Sequence, residues 1–285
     1  MRRILRIWPI YYLVILVSII LSLYIPEIGS PGPKENAKSI SLYLFFAANI
    51  SYGLHLTFTT LTPLWSVGVE EQFYAFWPIL VKKSKNILIA LISVILVYSF
   101  FKLLLRHFEN GTWYSIIWML RIDCMALGGI GAYLLLNHTG TISFFFHPII
   151  ELSTWGIIIY SCFAGPIHFL TFFDHDIYAI VFLSAILNVS SNPRKIINLE
   201  NRIMDFIGRI SYGIYVYHML VICLLSHFLK YYAKENALSY ISIYFLTITI
   251  TLLLAFLSYE LFEKKFIHMK EKFSVIKSKN SVYFS

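Results

Sequence analysis

The sequence predicts an all-α protein, a polytopic transmembrane helical bundle of about eight spans with N- and C-termini in the cytoplasm. Three observations carry that reading. Of 285 residues, 58% are hydrophobic, 18% aromatic and only 13% charged, where a soluble domain carries about 25% charged residues. So little polar surface cannot enclose a core of this size, and lipid must be the main solvent. The apolar residues gather into runs close to the ~20 residues that a helix needs to cross hydrocarbon, and the basic residues collect on one side of them.

The runs fall at approximately 7–25, 63–81, 86–104, 115–136, 144–163, 176–190, 209–229 and 240–262. The first opens MRRILRIWPIYY and resembles a signal peptide. Its apolar stretch from Ile7 to Ile25 is long enough to span and no A-x-A-like cleavage site follows, so a retained helix is expected. The second begins at Thr62-Pro63, a capping hydroxyl before a proline, where neither position needs an intrahelical N–H bond. Pro78 comes late in the same run and should bend it. The sixth run is the shortest. SPGPKEN (30–36) and SSNPRK (190–195) are loops by their Ser, Pro and Gly content.

Orientation follows from counting. With the N-terminus inside, Arg2, Arg3, Arg6, Lys82, Lys83, Lys85, Arg194, Lys195, Arg202, Lys264, Lys265, Lys270, Lys272, Lys277 and Lys279 all face the cytoplasm. Only Lys34, Lys38, Arg106, Lys230 and Lys234 face out. That is the positive-inside pattern. The net charge of +8 is therefore read as membrane orientation, not as a nucleic-acid footprint. The segment 41–60 is moderately apolar but holds Asn49 and His55. A full crossing there would put Lys82, Lys83 and Lys85 outside, so an outer-surface or re-entrant segment is expected, buried in protein. Cys124, Cys162 and Cys223 lie in apolar stretches without metal-ligand spacing and read as small hydrophobes.

Chemistry would come from polar groups in apolar surroundings. In LTPLWSVGVEEQFYAFWPIL (61–80), Glu70 and Glu71 lie well inside a span, where a carboxylate costs at least about 2.5 kcal/mol unless paired or facing a wet cavity. Glu70, Tyr74 and Trp77 share a helix face suited to a hydroxylated substrate or a hydrogen-bond network. In WMLRIDCMALGGIGAY (118–133), Arg121 and Asp123 point to nearly opposite faces, so each needs a partner elsewhere, and Glu70 or Glu71 is the natural one for Arg121. Gly128, Gly129, Gly131 and Ala132 offer a smooth packing face. In DFIGRISYGIYVYHML (205–220), Ser211, Tyr215 and His218 share a face. An intramembrane His218 can relay a proton or serve as a fixed polar pin. Arg2 and Arg6 share a face suited to phosphates, or only anchor the first helix at the inner leaflet. Glu260 and Glu263 read as structural, and no metal site is evident.

Together, RRILRIWPIYY (2–12), LTPLWSVGVEEQFYAFWPIL (61–80), RIDCMALGG (121–129), IGRISYGIYVYH (207–218) and SYELFEKKF (258–266) resemble the acyltransferase 3 family of integral-membrane O-acyltransferases, over nearly the whole chain. The resemblance implies transfer of an acyl group, often acetyl, from cytoplasmic acyl-CoA to a hydroxyl of a glycan, lipid or small molecule. No cofactor would be bound, and acyl-CoA would be a co-substrate. Arg3 and Arg6 fall at the family's inner-face arginine motif on the donor side, Glu70 and Glu71 in its glutamate motif, Arg121 and Asp123 in its mid-domain motif, and Tyr215 and His218 in its Tyr-x-x-His element. Among these, Glu70, Glu71 and His218 are the candidate catalytic groups. Tyr74, Trp77, Arg121, Asp123, Ser211 and Tyr215 are candidate substrate-binding residues, and Arg2, Arg3 and Arg6 would hold the CoA carrier.

Set against that resemblance, the chain is expected to lack the family's usual first two helices, the first of which carries an arginine and a histidine regarded as the catalytic base. Residues 1–262 thus read as a truncated acyltransferase-like domain with an outer or re-entrant segment at 26–62, followed by a basic cytoplasmic tail at 263–285. The expected protein is a multi-pass plasma (inner) membrane protein whose partners are acyl-CoA, the bilayer and a glycan or lipid-linked sugar, with no nucleic acid. Weak or absent activity is expected of the isolated chain unless the missing helices or another copy act in trans. A transporter or flippase of a lipid-linked glycan, or a non-catalytic scaffold, are the readings from other classes.

Overall fold

The computed structural model describes residues 3–25, 28, 36–108, 111–137, 139–168, 173–229 and 237–272, and contains no strand among them. The helices are α1 (Ile4–Tyr24), α2 (Asn36–Leu44), α3 (Ala48–Gly53), α4 (Leu64–Lys83), α5 (Ile87–Leu105), α6 (Thr112–Leu120), α7 (Ile122–Asn137), α8 (Thr139–Phe145), α9 (Pro148–Ala164), α10 (Asp174–Ser191), α11 (Arg202–Leu229), α12 (Ala237–Ser258) and α13 (Lys264–Lys272). Five described stretches are long and apolar enough to cross a membrane: Ile4–Tyr24, Ile87–Leu105, Thr112–Asn137, Arg202–Leu229 and Ser239–Met269. α9 is apolar but shorter. α4 and α10 occupy two more of the expected runs, but both carry carboxylates and polar amides.

The chain divides into two compact units, one of residues 1–68 and 205–285 and the other of residues 69–204. In the first, α1 packs its Ile10, Tyr11 and Val14 into a core with Tyr43, Phe58, Leu61, Val216 and Leu220. The Tyr11-Tyr12 pair has a specific task there. Tyr11 donates to the Tyr43 carbonyl at 2.8 Å and Tyr12 to the Leu44 carbonyl at 3.0 Å. These are carbonyls at the end of α2, which the helix itself cannot satisfy. The Tyr11 ring also stacks on Phe46, centroids 4.4 Å apart.

No spanning helix runs through 41–60. The chain instead turns at Phe46 and at His55, both with φ of 56°, on either side of the short α3. Ser39, Asn49, Ser51 and Thr60 are buried in this fold-back. Ser39 and Ser51 both donate to the Leu56 carbonyl, at 2.5 and 3.1 Å, so the irregular backbone is satisfied internally, as it must be away from water. Gly68 seals the fold-back against α4. A Cβ built there would meet the Phe46 carbonyl oxygen at 2.8 Å and Asn49 Oδ1 at 3.2 Å. Gly68→Ala is expected to destabilise the protein by about 1–3 kcal/mol. Gly128→Ala, which meets nothing within 4 Å, should be neutral or stabilise by up to ~1 kcal/mol through helix propensity. Thermal unfolding of the two variants in one detergent compares them directly.

At the other end of this unit, α12 widens into a π-helical turn, Tyr259–Glu263, before α13. Tyr217 donates to Ser258 Oγ at 3.0 Å, and Ser258 donates to the buried Glu263 at 3.2 Å. Gly213 lets α11 approach closely, since a Cβ there would sit 3.2 Å from that of Ala255. Arg6 lies within electrostatic reach of Glu263, which ties the first basic motif to SYELFEKKF. The helix thus runs on past residue 262, and the expected tail is described only as far as Lys272.

In the second unit α5, α7, α9 and α10 form the packed group. Asn86 caps α5 by accepting from the Ile89 N–H at 3.2 Å, and Pro148 stands in the first turn of α9. Glu151, 1% exposed, accepts from the Ile196 N–H at 2.8 Å and from Asn192 at 3.2 Å, fixing the loop after α10 onto α9. In that loop Lys195 bonds Glu200 at 2.6 Å and holds its exposed carboxyl below the usual carboxylate range. Of the expected smooth face, Gly129 does receive neighbours, with Trp77 and Leu91 each 3.1 Å from an added Cβ, and Gly131 packs on Leu183.

Candidate functional site

In the unit formed by 1–68 and 205–285, chemistry-bearing groups converge where α11 meets the start of α4. Tyr215 donates its hydroxyl proton to the Pro63 carbonyl at 2.8 Å. Ser66 Oγ lies 2.5 Å from the same hydroxyl. The Trp-Ser stretch of 61–80 and the Tyr-x-x-His stretch of α11 are therefore one local structure. His218 Nδ1 sits 2.6 Å from the carbonyl oxygen of Tyr215. A carbonyl can only accept, so Nδ1 carries a proton, and whenever the ring is neutral its lone pair lies on Nε2. The helical i, i+3 spacing thus fixes the tautomer that a general base requires. Ser211 is not part of this arrangement, because its hydroxyl donates to the Gly208 carbonyl at 2.9 Å and is exposed.

Of the arginines expected to hold a phosphate-bearing carrier, Arg3 and Arg6 begin α1 in this same unit, and Arg6 is exposed. Arg2 lies outside the described residues.

In the unit of 69–204, Glu70 is exposed and Glu71 half-buried on α4. Tyr74, 42% exposed, lies edge-on to Phe73, whose ring also stacks on Trp77 at 5.0 Å. Phe73 thus links the Tyr74 and Trp77 rings on α4.

The partner expected for Arg121 requires correction. Arg121 interrupts the expected continuous helix 115–136, adopting φ 46° and ψ 30° between α6 and α7. Its backbone N–H donates to the Tyr98 hydroxyl at 3.1 Å, and that hydroxyl donates to the Ile117 carbonyl. The guanidinium lies over the Trp118 ring, 5.4 Å from its centroid, and not in an ion pair with Glu70 or Glu71. Its Nε is buried without a hydrogen-bond partner among the described residues. A left-handed backbone at a non-glycine residue costs of order 1–3 kcal/mol, and such strain concentrates at functional positions.

Asp123 finds its cation in Lys102 of α5, at 2.6 Å, and the same ammonium bonds Asp176 of α10 at 3.0 Å. Lys102 is 4% exposed and also lies 5.4 and 5.5 Å from the Tyr98 and Trp118 ring centroids. Two cations and two carboxylates, from Lys102, Arg121, Asp123 and Asp176, therefore balance in one buried cluster that joins α5, α7 and α10. Neither Lys102 nor Asp176 was singled out from sequence. The signal was present, since a lysine inside an apolar run needs a carboxylate at its own depth. Among the described residues no group of three or more His, Cys, Asp or Glu side chains is placed to hold a metal ion.

Comparison with known proteins bears on this geometry. A family model described as an acyltransferase domain matches residues 1–260. The chain is similar to O-acetyltransferase OatA of Staphylococcus aureus strain NCTC 8325 / PS 47, 23% identical over 285 aligned residues that cover 92% of this chain and 46% of the relative. A protein of Staphylococcus aureus strain COL, provisionally named an O-acetyltransferase, is 25% identical over 266 aligned residues, covering 80% of this chain and 39% of the relative. The chain spans less than half the length of these curated relatives. No solved structure matches.

Proposed function

The chain belongs to the acyltransferase domain family, and from that premise we propose that it is a multi-pass inner-membrane O-acyltransferase. It would cross the bilayer about eight times with both termini in the cytoplasm, as its basic loops favour. Its donor would be acyl-CoA, with acetyl the acyl group, and its acceptor a hydroxyl on a glycan, lipid or small molecule. One observation carries the reading beyond the family. The Tyr215 carbonyl holds His218 as the Nδ1–H tautomer, so that Nε2 can take a proton. In the proposed step the acceptor hydroxyl attacks the thioester carbonyl as Nε2 takes its proton. The new C–O bond forms, the C–S bond breaks, and the thiolate leaves on CoA. Arg3 and Arg6 would grip the carrier's phosphates at the inner face. Arg121 would take part in binding the acceptor through its unsatisfied Nε. Glu70 and Glu71, beside Tyr74 and Trp77, would line the acceptor's path, and Asp123 would act on it only by way of Lys102.

The test uses membranes carrying the 285-residue chain, incubated with acetyl-CoA labelled in the acetyl group and a crude envelope-glycan fraction. Label is expected in an alkali-labile oxygen ester, with one CoA thiol released per ester formed. Movement of a lipid-linked sugar across the membrane without consumption of acetyl-CoA would instead support a transporter.

A further inference from the structure

The loop between α9 and α10 ends in a second histidine arrangement, outside the motifs discussed above. His168 Nδ1 lies 2.8 Å from Asp174 Oδ2. The Asp174 side chain is 10% exposed and the His168 ring 72% exposed. A carboxylate accepts, so Nδ1 carries a proton and Nε2 is presented outward, free to bond a ligand hydroxyl. The dyad stands on a cavity of about 460 Å³, within the size range of small-ligand sites.

The cavity has two kinds of wall. Pro166, Tyr178 and Phe182 supply an apolar and aromatic side, with the two rings 6.4 Å apart. Ser161, His168, Asp174 and His175 supply polar groups on the other. The floor is tied in place by a chain of hydrogen bonds. The Ile167 N–H donates to the Tyr178 hydroxyl at 2.8 Å, Tyr178 to Ser161 Oγ at 2.7 Å, and Ser161 to the Ile157 carbonyl at 2.8 Å. The backbone just before His168 is thereby anchored to both α9 and α10. His175 packs edge-on to Trp118, the ring that carries Arg121, so the cavity adjoins the buried charge cluster.

We infer that this cavity is a binding site for a neutral sugar ring, which lays a C–H face on Tyr178 and Phe182 and gives a hydroxyl to His168 Nε2. Its wall selects that chemistry. Among the described lining residues none is lysine or arginine and one is an aspartate, which disfavours phosphate and carboxylate ligands. An apolar ligand would leave the dyad's polar groups unsatisfied. The assignment of the bound sugar as acyl acceptor rests on the acyltransferase reading, under which this loop faces the outer side where a cell-surface glycan is met.

Sugar binding is measurable with no acyl donor present, which separates the two questions. The purified chain in lipid nanodiscs is titrated with chitotetraose and with maltotetraose, followed by calorimetry and by saturation-transfer NMR. At least one is expected to bind, His168→Ala to weaken it at least tenfold, and His168→Gln, which keeps an acceptor atom, to recover part of the loss. His168 is exposed, so these variants leave the fold unaltered, which thermal unfolding verifies. Absence of tetrasaccharide binding by the unaltered chain, equal affinity in His168→Ala, or equal binding of the per-O-methylated tetrasaccharide would overturn the inference. If His168-dependent binding holds while labelled acetyl-CoA is never consumed, the sugar site stands and the acyltransferase reading falls.

Discussion

Lys102→Met is expected to destabilise the protein by about 3–5 kcal/mol, the cost of removing one partner from a buried ion pair. Lys102 and Asp123 have side-chain exposures of 4% and 1%, so water cannot take over the role of the lost ammonium. Asp176, at 16%, would be left facing Asp123 with no cation between them. Arg121 offsets this only in part, because its guanidinium lies over Trp118 and bonds neither carboxylate directly. Methionine keeps most of the stem's volume, which isolates the charge from the packing. Adding Asp123→Asn to Lys102→Met should recover part of the loss, since it removes one of the stranded charges, and that non-additivity identifies the pair. Thermal unfolding in detergent, checked by size-exclusion profile, measures both. An unaltered midpoint in Lys102→Met would mean that the cluster is hydrated and that α5, α7 and α10 are held by packing alone.

The same cluster marks where sequence reasoning stopped. α1, α5 and α11 announce themselves, because a long apolar run has no other stable form in lipid. The end of α2 was open to inspection too, yet Tyr11 and Tyr12 carry no sign that their hydroxyls serve carbonyls 32 residues away. The break at Arg121 was hidden for a different reason. Left-handed backbone is signalled by glycine or asparagine, and here it falls on an arginine inside an apolar run. Reading 115–136 as one straight helix then set Arg121 and Asp123 on opposite faces and sent Arg121 in search of a glutamate. With the break in place, Arg121 turns onto Trp118 and Asp123 onto Lys102. The fold-back in 41–60 was legible in part. Its Asn49, His55 and hydroxyls argued against a crossing helix, but the turn at Phe46 depends on tertiary packing around Gly68.

His218→Ala is expected to lower acyl transfer by about 10²–10⁴-fold, the usual contribution of a positioned general base, with folding intact. The ring is half-buried and its Nδ1 bond goes to its own helix at i−3, so its removal strands no distant partner. Tyr215→Phe separates chemistry from position. It keeps the carbonyl that sets the His218 tautomer but removes the hydroxyl that Pro63 and Ser66 share. Its expected effect is a loss of about 1 kcal/mol in stability, the worth of one hydrogen bond, with a rate loss of about tenfold or less. Radiolabelled acetyl transfer by membranes with matched protein levels ranks the two variants. Full activity in His218→Ala would make the histidine a structural pin and move the search for the base elsewhere. A Tyr215→Phe defect as deep as that of His218→Ala would instead mean that the Tyr215 hydroxyl itself takes part in the chemistry. The imidazole is expected to matter far more than the phenol, because it alone can take a proton at a nitrogen whose position is fixed by the backbone of the helix that carries it.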